Sequence, residues 1–287
     1  MKCYRICSRL LAPFMIQRSR QTFTPQTVNY LLGSTLRGAL AGHYLRTGGR
    51  SEDAEFQKLF GPEGPSFPDL LPASSGSTDT FVLPLTAVSC KRFPGFSHDG
   101  GHGVWDSLSI LTFNRMTGEG RPAFWNCPVC GNTCVPFSGY YTRHPDPGSD
   151  AHGLAKREQT TIVLQRHTGI DRYTGTVAQG IFYASQVVRE KGPLQNPQYF
   201  VGRAFLSEEQ YQILQSFLQK GPVFAGADRA RGLGEMEITL QECEPRQPEV
   251  EKWSAGWLRK YAMDTEQELL AGIYFSLTLA SPAVLVH

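Results

Sequence analysis

The sequence predicts an α+β fold on the split β-α-β plan, the ferredoxin-like (RRM-like) arrangement. Three observations lead there. Strand-type and helix-type periodicities follow one another as strand, helix, strand, strand, helix, strand. A core-poor stretch, residues 52 to 155, interrupts that order after the first helix. Two segments rich in glycine and arginine, Gly33 to Leu40 and Gly226 to Gly234, adjoin the regular elements at either end.

The first strand-like stretch runs from Tyr4 to Ile16, and basic and polar residues lead from it to Tyr30. Ser34 is then placed to cap a helix whose apolar residues Leu36, Leu40 and Tyr44 recur at helical spacing until Gly48-Gly49 ends it. From residue 52 to 155 Gly, Pro, Ser and His are frequent and periodicity is weak, which predicts an insertion held together by something other than a large core. Alternation returns at Thr160 to Gln165, at Gly180 to Val188 and at Gln198 to Leu206. Ser207-Glu208-Glu209-Gln210 reads as a capping box opening a helix through Tyr211, Leu214, Phe217 and Leu218, closed by Gly221-Pro222. Met236, Ile238 and Leu240 alternate as the final strand. The expected main domain is therefore 1 to 245, with a polar linker over 246 to 265. Residues 266 to 287 repeat the apolar theme of the first strand and are expected to open a second, incomplete domain of the same kind.

The whole-chain charge of the 287 residues is only +2, but it is unevenly spread. Residues 1 to 50 hold Lys2, Arg5, Arg9, Arg18, Arg20, Arg37, Arg46 and Arg50 and no Asp or Glu. One end of the molecule is thus expected to be electropositive and to favour a polyanionic partner. Leu10 to Ile16, the longest apolar run near the start, contains Pro13 and is far short of the roughly 20 residues that span a bilayer, so no membrane association is expected. The odd count of seven cysteines, with one tight Cys-x-x-Cys pair, fits a metal in a cytoplasmic protein better than a disulfide framework.

Each glycine-arginine segment sets bare backbone amides beside guanidinium forks, a combination suited to phosphodiester oxygens. In the first, Gly33, Ser34, Thr35 and Arg37 would aim a helix N-terminus at RNA phosphates. In the second, Arg229 and Arg231 would face one side while Gly232 and Gly234 lie flat against the strands. Cys127-Pro128-Val129-Cys130-Gly131 is half of a zinc site, because two thiolates at this spacing converge on one ion. The remaining ligands must come from Cys90, His98, His102, Cys134 or His144. Cys134 is a reserve, since its closeness to Cys130 would strain the knuckle.

Together these residues resemble the RAMP superfamily of CRISPR effector complexes, specifically the type III-D subunit of the kind that caps the five-prime handle of the guide RNA. The matching segments are Tyr30 to Gly38, His167 to Arg172 followed by Thr174 to Thr176 and Gly180 to Tyr183, and Gly226 to Gly234. The resemblance implies a non-catalytic, RNA-binding role in antiviral defence. Its partners would be the guide RNA, the other RAMP backbone subunits and the large signature subunit, with target RNA met only indirectly. It implies RNA contacts at Arg18, Arg20, Arg166, His167 and Arg172 in addition to the two glycine-arginine segments. It also favours Cys90 and His102, which look like family positions, as the partners of Cys127 and Cys130 on a structural zinc. The chain departs from the family pattern in carrying one full domain where two are usual.

An endoribonuclease is the alternative. In related backbone subunits an Asp in the loop after the first strand supports cleavage, whereas Gln17 to Tyr30 here holds no Asp, Glu, His or Lys. His43 is the one histidine near the first helix, and its apolar neighbours place it in the helix body.

Overall fold

A computed structural model describes residues 1–17, 26–108, 111, 126–144, 154–170, 172–192 and 194–245. Arg18, Arg20, Asp171, the expected linker and the expected second-domain strand lie outside the described residues. In chain order the elements are β1 (Lys2–Leu10), α1 (Gly33–Arg46), α2 (Ala54–Phe60), β2 (Leu71–Ala73), β3 (Thr80–Val82), β4 (Ala87–Cys90), β5 (Val104–Asp106), β6 (Cys134–Pro136), β7 (Tyr140–His144), β8 (Leu154–Glu158), β9 (Ile162–Ile170), β10 (Val177–Val188), β11 (Tyr199–Leu206), α3 (Glu208–Leu218), β12 (Val223–Phe224) and β13 (Glu235–Glu242). Among the described residues the architecture is mixed, three α-helices with several antiparallel sheets. Among the described residues no helix is long and apolar enough to cross a membrane.

The described residues part into two compact units, one within Met1–Phe81, Tyr140–Pro145 and Glu158–Glu244, the other within Val82–Gly139 and Asp146–Arg157. The first is built on a five-stranded sheet of order β12-β13-β1-β11-β2. β1 lies between β11 and β13, antiparallel to both. Alternation along β1 sends Tyr4, Ile6 and Leu10 into the core and leaves Arg5, Cys7 and Arg9 on the other face. The core face is covered by α1, through Leu36, Ala39, Leu40 and Tyr44, and by α3, through Ile213, Leu214 and Phe217. Tyr4 stacks on Tyr211 of α3 with ring centroids 4.4 Å apart. α3 opens with the expected capping box, the Ser207 hydroxyl accepting from the Gln210 amide while the Gln210 side chain accepts from the Ser207 amide.

Two expectations are corrected. Ser34 does not cap α1. Leu32 precedes the first turn without a side-chain cap, and the Gly33 N–H donates instead to Asp69 Oδ1 at 2.6 Å. A carboxylate from a distant segment suits the positive end of the helix as well as a local hydroxyl would. The stretches Thr160 to Gln165 and Gly180 to Val188 do not join the main sheet: β9 and β10 pair with each other as a separate hairpin. β9 alternates between exposed and half-buried residues and so has no buried face to offer a sheet interior. The place beside β11 is filled by β2, with Tyr199 opposite Ala73. The second unit begins at Val82. Phe56 packs on Tyr44 and Phe60 on Phe67, so α2 belongs to the main core.

The second unit has its own small sheet of order β5-β4-β6. Its buried apolar cluster consists of Val88, Cys90, Cys127 and Cys134 with Trp105 against it.

Candidate metal centre and nucleic-acid interface

Within the second unit, β4 ends on Cys90, and the chain returns just before β5 to place His102 beside it. The His102 amide donates to the Phe93 carbonyl at 3.0 Å, and its ring rests on Phe93 with centroids 4.5 Å apart. Cys127 and Cys130 sit on a tight turn in which the Gly131 amide donates to the Cys127 carbonyl at 2.8 Å. Gly131 has φ +72, in the left-handed region that glycine adopts without strain.

The ligand atoms of Cys90, His102, Cys127 and Cys130 all lie within 4.8 Å of one another. Cys90 Sγ and Cys130 Sγ are 3.5 Å apart, as are Cys127 Sγ and His102 Nδ1. Four ligands at Zn–S of about 2.3 Å and Zn–N of about 2.0 Å span a tetrahedron with edges of roughly 3.5–3.8 Å. The cluster therefore fits a four-coordinate ion, and four protein ligands would close its coordination. Asn132 supports one thiolate: its side-chain amide donates to Cys130 Sγ at 3.1 Å. That bond, with the Asn132 backbone amide next, holds the Cys130 thiol down to about 6, whereas burial pushes the Cys90 thiol up. Cys134 is outside the group. It faces Cys90 across the β4–β6 ladder, buried in the apolar cluster. Among the described residues, His98 does not join the group either.

In the first unit, the glycine-rich segment after β12 is built by close backbone approach. A Cβ on Gly226 would stand 2.4 Å from the Met15 carbonyl oxygen, and one on Gly234 would stand 1.9 Å from that of Ala225. The Ala227 amide donates to Met15 O and the Gly234 amide to Pro13 O, each at 2.8 Å, so the loop is fastened to the chain leaving β1. The β9–β10 hairpin meets the same segment through the Phe14–Val188 bridge. Met15, Val187 and Leu233 are buried together there, with Val163 and Ala227 alongside.

Two motifs far apart in the sequence are thereby joined. Arg229–Arg231 form a single 3-10 turn, both arginines exposed. The Arg231 guanidinium lies 5.5 Å from the ring centroid of Tyr183. Tyr183 is the cross-strand partner of His167, and their rings stack at 4.7 Å with planes 17° apart. His167 Nε2 is 3.2 Å from Ser185 Oγ, which fixes the imidazole. Arg166 is exposed on the opposite face of β9, and Arg172 is exposed at the far turn of the hairpin.

The first glycine-arginine segment is arranged differently. Gly33 is required by packing, since a Cβ there would be 2.2 Å from the Phe67 carbonyl oxygen. Its amide is taken by Asp69, and Arg37 donates to the Phe60 carbonyl. Ser34 is exposed and Thr35 half-buried. Among the described residues no contact joins this turn to the Arg231–Tyr183–His167 stack.

His43 is only 3% exposed, with Nε2 3.0 Å from the Phe217 carbonyl oxygen, and burial lowers its pKa. On the sheet face away from the helices, a groove of about 390 Å³ is lined by Arg5, Cys7, Arg9, Tyr199, Glu237 and Thr239 among others. Its cations are matched locally, Arg5 by Asp79 and Arg9 by Glu237. Sequence reasoning did not single out Asp69 or Tyr183 as site residues. Tyr183 could have been found from the hairpin register that sets it opposite His167.

No protein-family model matches the chain, and no curated protein matches it. Among solved structures it is similar to a chain of the type III-B Cmr-beta complex bound to cognate target RNA, at 13% identity and a TM-score of 0.42 over 84% of this chain and 97% of that one. The same complex in its apo state has a similar chain, at 13% identity and 0.43 over 83% and 97%. Oligomeric Cmr4 from Pyrococcus furiosus is similar at 14% identity and 0.34 over 85% and 100%. At such scores these likenesses carry no argument about the role of this chain.

Proposed function

We propose that this protein is a non-catalytic RNA-binding subunit of a type III CRISPR effector complex, gripping the five-prime handle of the guide RNA as the type III-D capping subunits do. The observation that carries this reading is the meeting of the His167-to-Tyr183 and Gly226-to-Gly234 motifs, which the fold turns into one half-exposed surface of cation and π faces. The antiparallel order β13-β1-β11-β2, with α1 and α3 on one face, supports the ferredoxin-like plan, β2 taking the second-strand position. The Cys90, His102, Cys127 and Cys130 cluster supports a structural zinc. The endoribonuclease alternative is disfavoured by His43, whose ring is packed against Phe217 beyond reach of a substrate.

Binding of guide RNA to the full chain, measured over a range of salt concentrations, tests the reading. Replacing Arg229 and Arg231 together by Gln should weaken binding for every spacer sequence. It should also flatten the dependence of log K on log salt by about 0.7 for each lost contact to a single strand. Unchanged affinity and slope would refute the proposal. Cleavage of repeat RNA by the wild type that His43→Ala abolishes would establish the endoribonuclease instead.

A further inference from the structure

We propose that the Arg231–Tyr183–His167 stack is the seat of one unpaired nucleobase of a single-stranded RNA. This rests on the RNA-binding reading above and specifies how one nucleotide is held. A cross-strand aromatic pair alone is common hairpin packing. Here a cation from a separate segment is brought against the same ring, 5.5 Å from its centroid. The members are also not buried: Tyr183 and His167 are half-buried and Arg231 is exposed. Burial of apolar surface therefore explains little of the arrangement, and the stack remains open to an added π face.

The charge pattern separates stacking from phosphate contact. Arg231 Nη1 is 3.4 Å from Asp228 Oδ2, so its charge is already partly answered within the loop. A guanidinium paired in this way is a weak phosphate clamp but keeps its planar face for stacking. Arg229, two residues away, makes no ion pair with a described residue and is the better phosphate contact. An exposed cation next to an aromatic platform is the arrangement that holds one strand by backbone and base together. Bases within a duplex have both faces occupied by their neighbours, so the ligand is single-stranded at this position.

The experiment is fluorescence anisotropy of the full chain with a short labelled single-stranded oligoribonucleotide, and with versions carrying one abasic residue at each position in turn. Tyr183→Leu, which keeps apolar bulk on the hairpin, should weaken binding about five- to 150-fold with the salt slope unchanged. Tyr183→Phe should stay within about twofold of the wild type, because the π face is retained. One abasic position should cost the wild type a similar factor and cost Tyr183→Leu nothing further. If no abasic position matters and Tyr183→Leu binds as the wild type does, while Arg229→Gln still flattens the slope, the stacking seat is refuted and the phosphate-binding reading stands. A wild-type chain that binds no RNA refutes both. The abasic series on the wild type decides the question even if Tyr183→Leu fails to fold.

Discussion

Removing metal from the Cys90, His102, Cys127 and Cys130 cluster should unfold the second unit and leave the five-stranded sheet of the first intact. β4, β5 and β6 hold ten residues, and fixing them costs about 15 kcal/mol at roughly 1.5 kcal/mol each. Leaving the ligands aside, the apolar cluster offers Val88, Cys134 and the flanking Trp105, about 5 kcal/mol in total at roughly 2 kcal/mol for a well-buried side chain. The shortfall of about 10 kcal/mol is at the lower end of the roughly 10–16 kcal/mol that a structural zinc supplies. The first unit, by contrast, draws on its own core of Tyr4, Phe14, Leu36, Phe200, Phe217 and their neighbours. Hydrogen exchange read by mass spectrometry on the full chain, with and without chelator, tests this directly. Amides of Ala87–Cys90 and Cys134–Pro136 should lose protection on chelation, while those of Lys2–Leu10 and Glu235–Glu242 keep it. Cys127→Ser should reproduce the chelated pattern. Unchanged protection in protein shown by elemental analysis to be metal-free would refute the reasoning.

Acid should weaken the first unit through His43. Burial holds its folded pKa below the ordinary 6.5, so the unfolded chain takes up a proton first and stability falls as pH drops below 6.5, by at most about 1.4 kcal/mol per pH unit. Denaturant titrations above and below that pH should show the fall in the wild type and a shallower one in His43→Gln; equal slopes would assign the acid sensitivity elsewhere. In the glycine-rich loop, Gly232 and Gly234 share φ +81, but a Cβ meets nothing at Gly232 and backbone at Gly234. Thermal or denaturant unfolding should therefore report about 1 kcal/mol lost for Gly232→Ala and about 3 kcal/mol or more for Gly234→Ala. Equal losses would show that the loop moves to accept the methyl group.

What the sequence made legible was mostly local. The Ser207–Gln210 capping box depends on residues three apart, and the Cys127–Cys130 knuckle on a turn that Gly131 permits, so both could be read directly. Cys90 and His102 came through the family resemblance, and the structure brings both to the knuckle. β2 could not be read: Leu71-Pro72-Ala73 is too short for a period, and only its place beside β11 makes it a strand. β9 and β10 had strand periodicity, but period does not say which sheet a strand joins, and a hairpin strand with one half-buried and one exposed face carries the same signal. Asp69 was invisible as a cap because it reaches Gly33 across 36 positions. The proposed RNA surface was half legible: the arginines were evident, but Tyr183 gains its proposed role only from register and from a loop formed far downstream.

The position of β1 between β11 and β13 bears on how the chain is made. Lys2 pairs with Leu206 and Leu10 with Met236, so the central strand has no sheet neighbours until about two hundred further residues exist. At about 5–20 residues per second it emerges from the ribosome and waits roughly 10–40 s with both hydrogen-bonding edges open. Residues of β4, β5 and β6 meet partners within a short span of chain and can settle during that interval, given metal. Contacts of such long sequence separation make the five-stranded sheet the slow step of folding. Until that step is complete, β1 can recruit any extended strand it meets, its own copies on neighbouring ribosomes included.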